Sequence, residues 1–186
     1  MANNVVVSDN YGVKTKRFSP YEYLGYRKVN DGGSVYFDGS GDNFRVADGL
    51  NLGTDDFTFE FWINPDEDFT GVIKSFINVE TGGTGVGWSF NQSTYAGYNG
   101  VAFVYGSYGA YTVGKFINNY WLPQRQWTHL AAQRRSGTIE IYVNGVSKTL
   151  TTYNEGGAFS DSGNFTGTQA YRTFFDGVKA YVSDVR

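Results

Sequence analysis

The sequence predicts an all-β fold of sandwich type, and three observations carry that prediction. Aromatic residues make up 18% of the 186 positions, unlike the aromatic-poor composition of disordered chains. Glycine occurs 25 times and proline 3 times, a mixture suited to an ordered, turn-rich protein. Short runs of alternating polarity recur between glycine-rich turns, while a 3.6-residue period is almost absent. The length suits one domain, and a chain of about 150 residues buries roughly 68–70% of its unfolded surface, enough for a core without staples. Cysteine is absent, so disulfides and thiolate metal sites are unavailable, which fits assembly in a reducing cytoplasm.

The elements follow in order. The turn residues of "VNDGGS", Val29 to Ser34, separate an N-terminal arm, residues 1–32, from a patterned body, residues 33–186. Within the arm, "NVVVS" and "YEYLGYRKV" can each be extended, but neither can build a core alone. In the body, "SVYFDG" places Val35 and Phe37 on one face and Tyr36 on the other, and "NFRVA" forms a second short strand after the turn "GSGD". "FTFEFWINP" alternates Phe57, Phe59, Phe61 and Ile63 against Thr58, Glu60, Trp62 and Asn64, and Pro65 closes that ladder because it has no N–H to donate. "GVIKSFI", "GVGWSF" and "GVAFVYG" read as further strands. Trp127 to Arg134, Thr138 to Val143 and Val146 to Leu150 read as a three-stranded meander. Its second turn is Asn144-Gly145, a strong hairpin signal because both turn residues must accept positive φ. "FFDGVKAYVSDV" reads as a last strand with Val178, Ala180 and Val182 on one face.

Charge restricts the partners. Net charge is −3, but residues 1–30 carry Lys14, Lys16, Arg17, Arg27 and Lys28 against Asp9 and Glu22, or +3, leaving −6 on the remainder. A basic segment on an acidic body suggests an arm that anchors on an acidic neighbour; a solvated tail of mixed charge is the other reading. An acidic body repels phosphate, so nucleic acid is not an expected partner. No run approaches the roughly 20 apolar residues of a membrane span, and "MANNVVVSDNYG" lacks the basic and apolar regions of a signal peptide. A soluble protein is the expectation.

Six pieces, in order, carry a family resemblance. They are Asp38-Gly39-Ser40, Leu50 to Gly53, Phe57 to Trp62, Trp127 to Ala131, Tyr142 to Gly145 and Gly177 to Arg186. Together they resemble a laminin-G-like, concanavalin A-like jelly roll over roughly residues 33–186. The resemblance implies two antiparallel sheets packed face to face, with the first and last body strands adjacent. The arm would then leave the body near its last strand.

Glucanase relatives on that fold place catalytic carboxylates as Glu-x-Asp-x-x-Glu, so that alternate strand residues share a face and reach one glycosidic bond. No such string exists here: Glu60 precedes Phe61 and Trp62, Glu140 precedes Ile141 and Tyr142, and the acids of "PDEDF" follow proline in a loop. Catalytic residues are therefore not expected. His129, the lone histidine, cannot form a zinc-binding pair, and no Gly-x-Ser-x-Gly elbow supplies a nucleophile. The resemblance places a histidine there as a strand residue, so His129 is expected to be scaffold. Several relatives bind calcium in rim loops, which makes Asp38, Asp42, Asp55 and Asp56 candidate calcium ligands, with Asp66 and Asp68 as further loop acids. Solvated turn aspartates are the alternative.

"STYAGYNG", "YGSYGAYTVG" and "INNYWLPQ" set Tyr95, Tyr98, Tyr105, Tyr108, Tyr111, Tyr120 and Trp121 among Gly, Ser and Asn. As exposed loops they offer aromatic platforms for a glycan, or a protein interface, both of which favour Tyr and Trp. Rings that fill the core are a third reading. Asn91 and Asn164 match the glycosylation pattern, but without a secretory signal the match is chance.

The favoured expectation is a non-catalytic structural protein of a tailed bacteriophage virion, assembled in the host cytoplasm. A short domain, no export signal, no cysteine and an arm suited to anchoring resemble capsid decoration proteins and tail-fibre modules. Its partners would be other capsid or tail subunits in an oligomeric assembly, and a cell-surface glycan. A lectin-like carbohydrate-binding module is the rival, and a glucanase-like hydrolase runs third.

Overall fold

The computed structural model describes residues 7–11, 14–16, 33–47, 50–79, 86–95, 98–107, 111–154, 159–166 and 171–186. These residues form fifteen strands and no helix, so no helix among them is long and apolar enough to cross a membrane. Numbered in chain order, seven strands make one sheet in the spatial order β12 (Val146–Ser147), β11 (Thr138–Val143), β10 (Thr128–Arg135), β5 (Phe57–Pro65), β15 (Lys179–Ser183), β3 (Ser34–Asp38) and β2 (Lys14–Lys16). Eight make the other, in the order β1 (Val7–Tyr11), β4 (Asn43–Ala47), β14 (Tyr171–Phe174), β6 (Lys74–Asn78), β7 (Val86–Tyr95), β8 (Tyr98–Ser107), β9 (Tyr111–Asn118) and β13 (Thr151–Asn154).

The two sheets pack as an antiparallel jelly-roll sandwich. β15 pairs with β3, Tyr181 opposite Tyr36, so the first and last body strands are neighbours as the resemblance implied. The described arm segments join the same two sheets: β1 pairs with β4, and β2 pairs with β3, Lys14 opposite Tyr36 and Lys16 opposite Ser34. Both arm strands are therefore edge strands on the same body. Arg17, Arg27 and Lys28 lie outside the described residues.

β5 shows how the alternation becomes a core. Phe59, Phe61 and Ile63 are buried, whereas Glu60, Trp62 and Asn64 face outward and are half-buried. Phe59 stacks on Trp88 at 5.1 Å between ring centroids, and Trp88 stacks on Phe103 at 5.7 Å. Phe61 meets Phe76 and Phe175 at 5.4 and 5.2 Å. Such tilted and offset rings add packing energy beyond their buried area. The β10–β11–β12 meander forms as expected, although its third strand is only two residues long.

Two expectations need correction. The single closing strand is two strands in different sheets. β14 belongs to the eight-stranded sheet and β15 to the other, and the chain crosses through Phe175 (φ 59°) and Gly177 (φ 64°). The Asp176-Gly177 pair is the turn signal that the run of β-forming residues masked. The tyrosine-rich stretches, expected as exposed loops, are largely strand: Tyr95 ends β7, Tyr98 and Tyr105 lie in β8, and Tyr111 begins β9.

Arg134 is on the inward side of β10 and 1% exposed. Its Nε donates to the carbonyl oxygen of Asp55 (2.8 Å), Nη1 to Gly163 (2.7 Å) and Nη2 to Gly53 (2.9 Å). The guanidinium also lies over the Phe57 and Phe165 rings, 5.3 and 4.9 Å from their centroids. One buried cation thus joins the loop before β5 to the loop before β14 and satisfies carbonyls that would otherwise be desolvated.

Candidate functional site

The outward face of the seven-stranded sheet carries a cleft of about 600 Å³. Alternation builds it. β5 sends Phe59 and Phe61 inward, so Glu60 and Trp62 point outward, and the register sets His129 of β10 opposite Trp62. Trp127, just before β10, the Asn144-Gly145 turn, and Asp184 and Arg186 after β15 complete the wall.

Hydrogen bonds fix the parts. The turn residues Asn144 and Gly145 take φ of 50° and 76°, as a tight hairpin turn requires. Asn144 is tied to β10 twice: its Oδ1 accepts from the His129 N–H, and its own N–H donates to the His129 carbonyl, both at 2.9 Å. The chain end is held by a reciprocal pair, Glu60 N–H to the Arg186 carbonyl (3.0 Å) and Arg186 N–H to the Glu60 carbonyl (2.9 Å). Glu60 then sits between two nitrogen groups. His129 Nε2 is 3.4 Å from its Oε2, and Arg186 Nη1 is 3.5 Å from its Oε1. Arg186 Nη2 lies 3.0 Å from Asp184 Oδ1. The imidazole packs on Trp62 at 5.2 Å between ring centroids. Trp127 Nε1 is buried with no acceptor among the described residues.

His129 is thus a strand residue, as expected, but one that helps to line a cleft. The signal was present in the sequence: with Phe59 and Phe61 inward, Glu60 and Trp62 had to face the other way. The partner strand that brings His129 beside them was not readable from β5 alone.

The sequence-nominated residues are dispersed. Tyr95 and Tyr98 are partners in the β7–β8 backbone register, whereas Tyr111 pairs with Ser107 at the far end of β8. These ends are about 30 Å apart at the usual strand rise. Tyr105 packs on Phe165 at 5.2 Å. Tyr120 leans on the core, and burial raises its phenol pKa. Gly100 explains that approach: at φ 143° it pairs with Tyr120, and a Cβ there would lie 2.1 Å from the Ile117 carbonyl oxygen. Trp121 is half-buried in the following loop, and Tyr108 lies outside the described residues. Among the described residues the strand register separates Tyr95 and Tyr98 from Tyr111, and Tyr105 and Tyr120 lean on the core.

The expected calcium ligands do not converge either. Asp38 and Asp42 sit at the end of β3, where Asp42 Oδ2 accepts the Asp38 N–H (3.0 Å) and Asp38 Oδ1 accepts the Ser40 N–H (2.8 Å). Asp55 and Asp56 lie at the opposite rim, before β5, with Asp56 Oδ2 accepting the Ser136 N–H at 3.0 Å. Among the described residues no group of three or more His, Asp or Glu side chains could hold a metal ion. The aspartates serve their turns. At Asp68, the Thr70 N–H donated to the carboxylate lowers its pKa.

Comparison with solved structures agrees with this architecture. Domain 4 of AbnA, a GH43 extracellular arabinanase from Geobacillus stearothermophilus solved with arabinotriose, matches 83% of this chain and 69% of its own, at 20% identity and a TM-score of 0.59. The enzymatically active domain of tailspike protein 2 from bacteriophage CBA120 matches 93% of this chain at 11% identity and a TM-score of 0.57, this chain spanning 26% of that one. The carbohydrate-binding module CBM66 from Bacillus subtilis covers 95% of both chains at 14% identity and a TM-score of 0.44. No curated protein matches. The model of the concanavalin A-like lectin/glucanases superfamily matches residues 38–186, and the chain belongs to that family.

Proposed function

We propose that this sandwich is a non-catalytic carbohydrate-binding module whose ligand occupies the cleft on the seven-stranded sheet. One observation carries the reading: Trp62 and Trp127 stand beside a hydrogen-bonding set made of Glu60, His129, Asn144 and Arg186. Small-ligand sites combine apolar walls with a few fixed polar groups. Sugar rings need both, an apolar face on an indole and directed partners for hydroxyls. The non-catalytic part is supported by the engagement of both Glu60 oxygens and by Asp184 sharing the same guanidinium. A glycosidase instead needs one acid and one nucleophile or base directed at the bond. The arabinotriose bound to the AbnA domain makes a glycan a reasonable ligand class on this fold.

The test is a glycan array followed by titration of hits against Trp62→Ala, Trp127→Ala, Tyr98→Ala and Trp121→Ala. Loss confined to the first two supports the cleft. Loss confined to the last two returns the site to the tyrosine-rich stretches, and turnover of a bound glycan refutes the non-catalytic reading.

A second reading concerns the setting. A structural role in a tailed-phage particle, of capsid decoration or tail-fibre type, is supported by the fold likeness to the tailspike domain over nearly the whole chain. In that setting the arm anchors the module. β2 has one edge on β3 and is the last strand of its sheet, and such an edge can take a neighbour's strand. Deletion of residues 1–30, alongside Lys14→Glu with Lys16→Glu, should abolish co-sedimentation with particles; retention would refute the anchor.

A further inference from the structure

We infer that the cleft is one end of a longer track, and that its ligand is a linear, uncharged oligosaccharide running from the two tryptophans across β15 to a tyrosine pair on β15 and β3. The inference rests on the glycan-binding reading of the cleft and adds to it the length and charge of the ligand.

The register places the second platform. Ser183 is opposite Trp62, Tyr181 opposite Asn64, and Tyr36 opposite Tyr181. Opposed residues of antiparallel strands share a face, so Trp62, Asn64, Tyr181 and Tyr36 all belong to the outward side. With neighbouring strands about 4.8 Å apart and a rise of about 3.4 Å per residue, Trp62 lies about 8 Å from Tyr181 and about 12 Å from Tyr36. That span is too long for one sugar ring and suits several in line. Asn64, half-buried between the platforms, offers an amide that can both donate and accept.

The tyrosines are organised before any ligand arrives. Their ring centroids are 4.7 Å apart. The Tyr36 hydroxyl donates to Asp66 Oδ2 at 2.9 Å, and Lys179 Nζ stands 4.0 Å from the same oxygen. Rings already held in place lose little freedom on binding.

Charge then selects the ligand. The cleft sets Glu60 and Asp184 against Arg186, and the tyrosine platform sets Asp66 against Lys179. Among the described side chains of the cleft and the platform, Arg186 and Lys179 are already matched by carboxylates, and residues 31–186 carry a net −6. A uronate or sialylated chain would meet this acidic surface with Arg186 and Lys179 already engaged by carboxylates. An uncharged chain meets aromatic faces and hydrogen-bonding groups and pays no such repulsion.

The experiment is calorimetric titration of the full chain with neutral oligosaccharide ladders, from dimer to hexamer, derived from arabinan, xylan and β-glucan, with polygalacturonate as the acidic comparison. For one ladder, affinity should rise about tenfold from dimer to hexamer, roughly the free energy of one additional good contact. Tyr36→Ala and Tyr181→Ala should remove most of that gain and leave dimer binding within about twofold. If either variant fails to fold, the wild-type backbone amide shifts of Tyr36 and Tyr181 serve instead: the hexamer should move them and the dimer should not. Equal affinity at all lengths, or preference for polygalacturonate, would overturn the track while leaving Trp62-dependent binding in place. Absence of any Trp62-dependent binding would remove the cleft reading itself.

Discussion

The outward faces of the two sheets make a direct comparison. On the eight-stranded sheet, Ala102, Val104, Phe116 and Tyr153 form a second buried apolar cluster, on the side opposite Val101, Phe103 and Ile117 of the main core. On the seven-stranded sheet, the outward residues Glu60, Trp62, Asn64 and His129 stay half-buried and line or adjoin an open cleft. The sequences differ accordingly. "VAFV" in β8 is apolar without interruption, as strands covered on both faces are, whereas "FTFEFWIN" in β5 alternates. An alternating strand has one side left for recognition; a continuous apolar run has none.

Four substitutions sharpen or break this contrast, and they are ordered by expected effect. Arg134→Ala should cost most, about 3–5 kcal/mol, because it strands buried carbonyls and empties the space between two rings. Urea unfolding measures it, and a loss near zero would mean that the two loops hold without the cation. Phe116→Ala, on the closed outward face, should cost about 3 kcal/mol and lower Tm by about 6–12 °C. A negligible change would show that the second cluster contributes no core energy. Trp62→Ala, on the open face, should shift Tm by only about 1–3 °C while weakening glycan binding about tenfold. A large loss of stability there would make Trp62 a structural residue and erase the contrast.

The last effect is one of pH, and it appears only above pH 10. Burial, then the hydrogen bond to Asp66 and that carboxylate's charge, push the Tyr36 phenol up to about 12. The unfolded chain loses that proton near pH 10. Below pH 10 both states keep the proton and the contribution to stability is complete. Between pH 10 and about 12 only the folded state keeps it, so stability falls as pH rises. Tyr36→Phe should flatten this segment of the stability curve, seen by denaturant titration at stepped pH; an unchanged slope would mean that Tyr36 is ordinary in the folded state.

Much of this was legible in particular residues. Phe59, Phe61 and Ile63 declared an inward face, Asn144-Gly145 declared a hairpin, and the six family pieces implied adjacent first and last body strands, which β3 and β15 form. Other readings failed for reasons that are physical. Tyr95, Tyr98, Tyr105 and Tyr111 looked like loop residues because glycine flanks them, yet two long hairpins absorb them into strands. Asp38 and Asp55 looked like partners in a calcium site because both sit in turns, yet β3 and β5 place those turns at opposite rims.

By itself the sequence determined the fold class, many of the body strands, the inward face of β5 and the Asn144-Gly145 reversal, because alternation and turn chemistry act over a few residues. Only the tertiary structure decided which outward residues meet. Glu60 and His129 are 69 positions apart and Glu60 and Arg186 are 126 apart, so their meeting depends on strand order and register. Those are set by the packing of two whole sheets, which no local stretch of chain can encode.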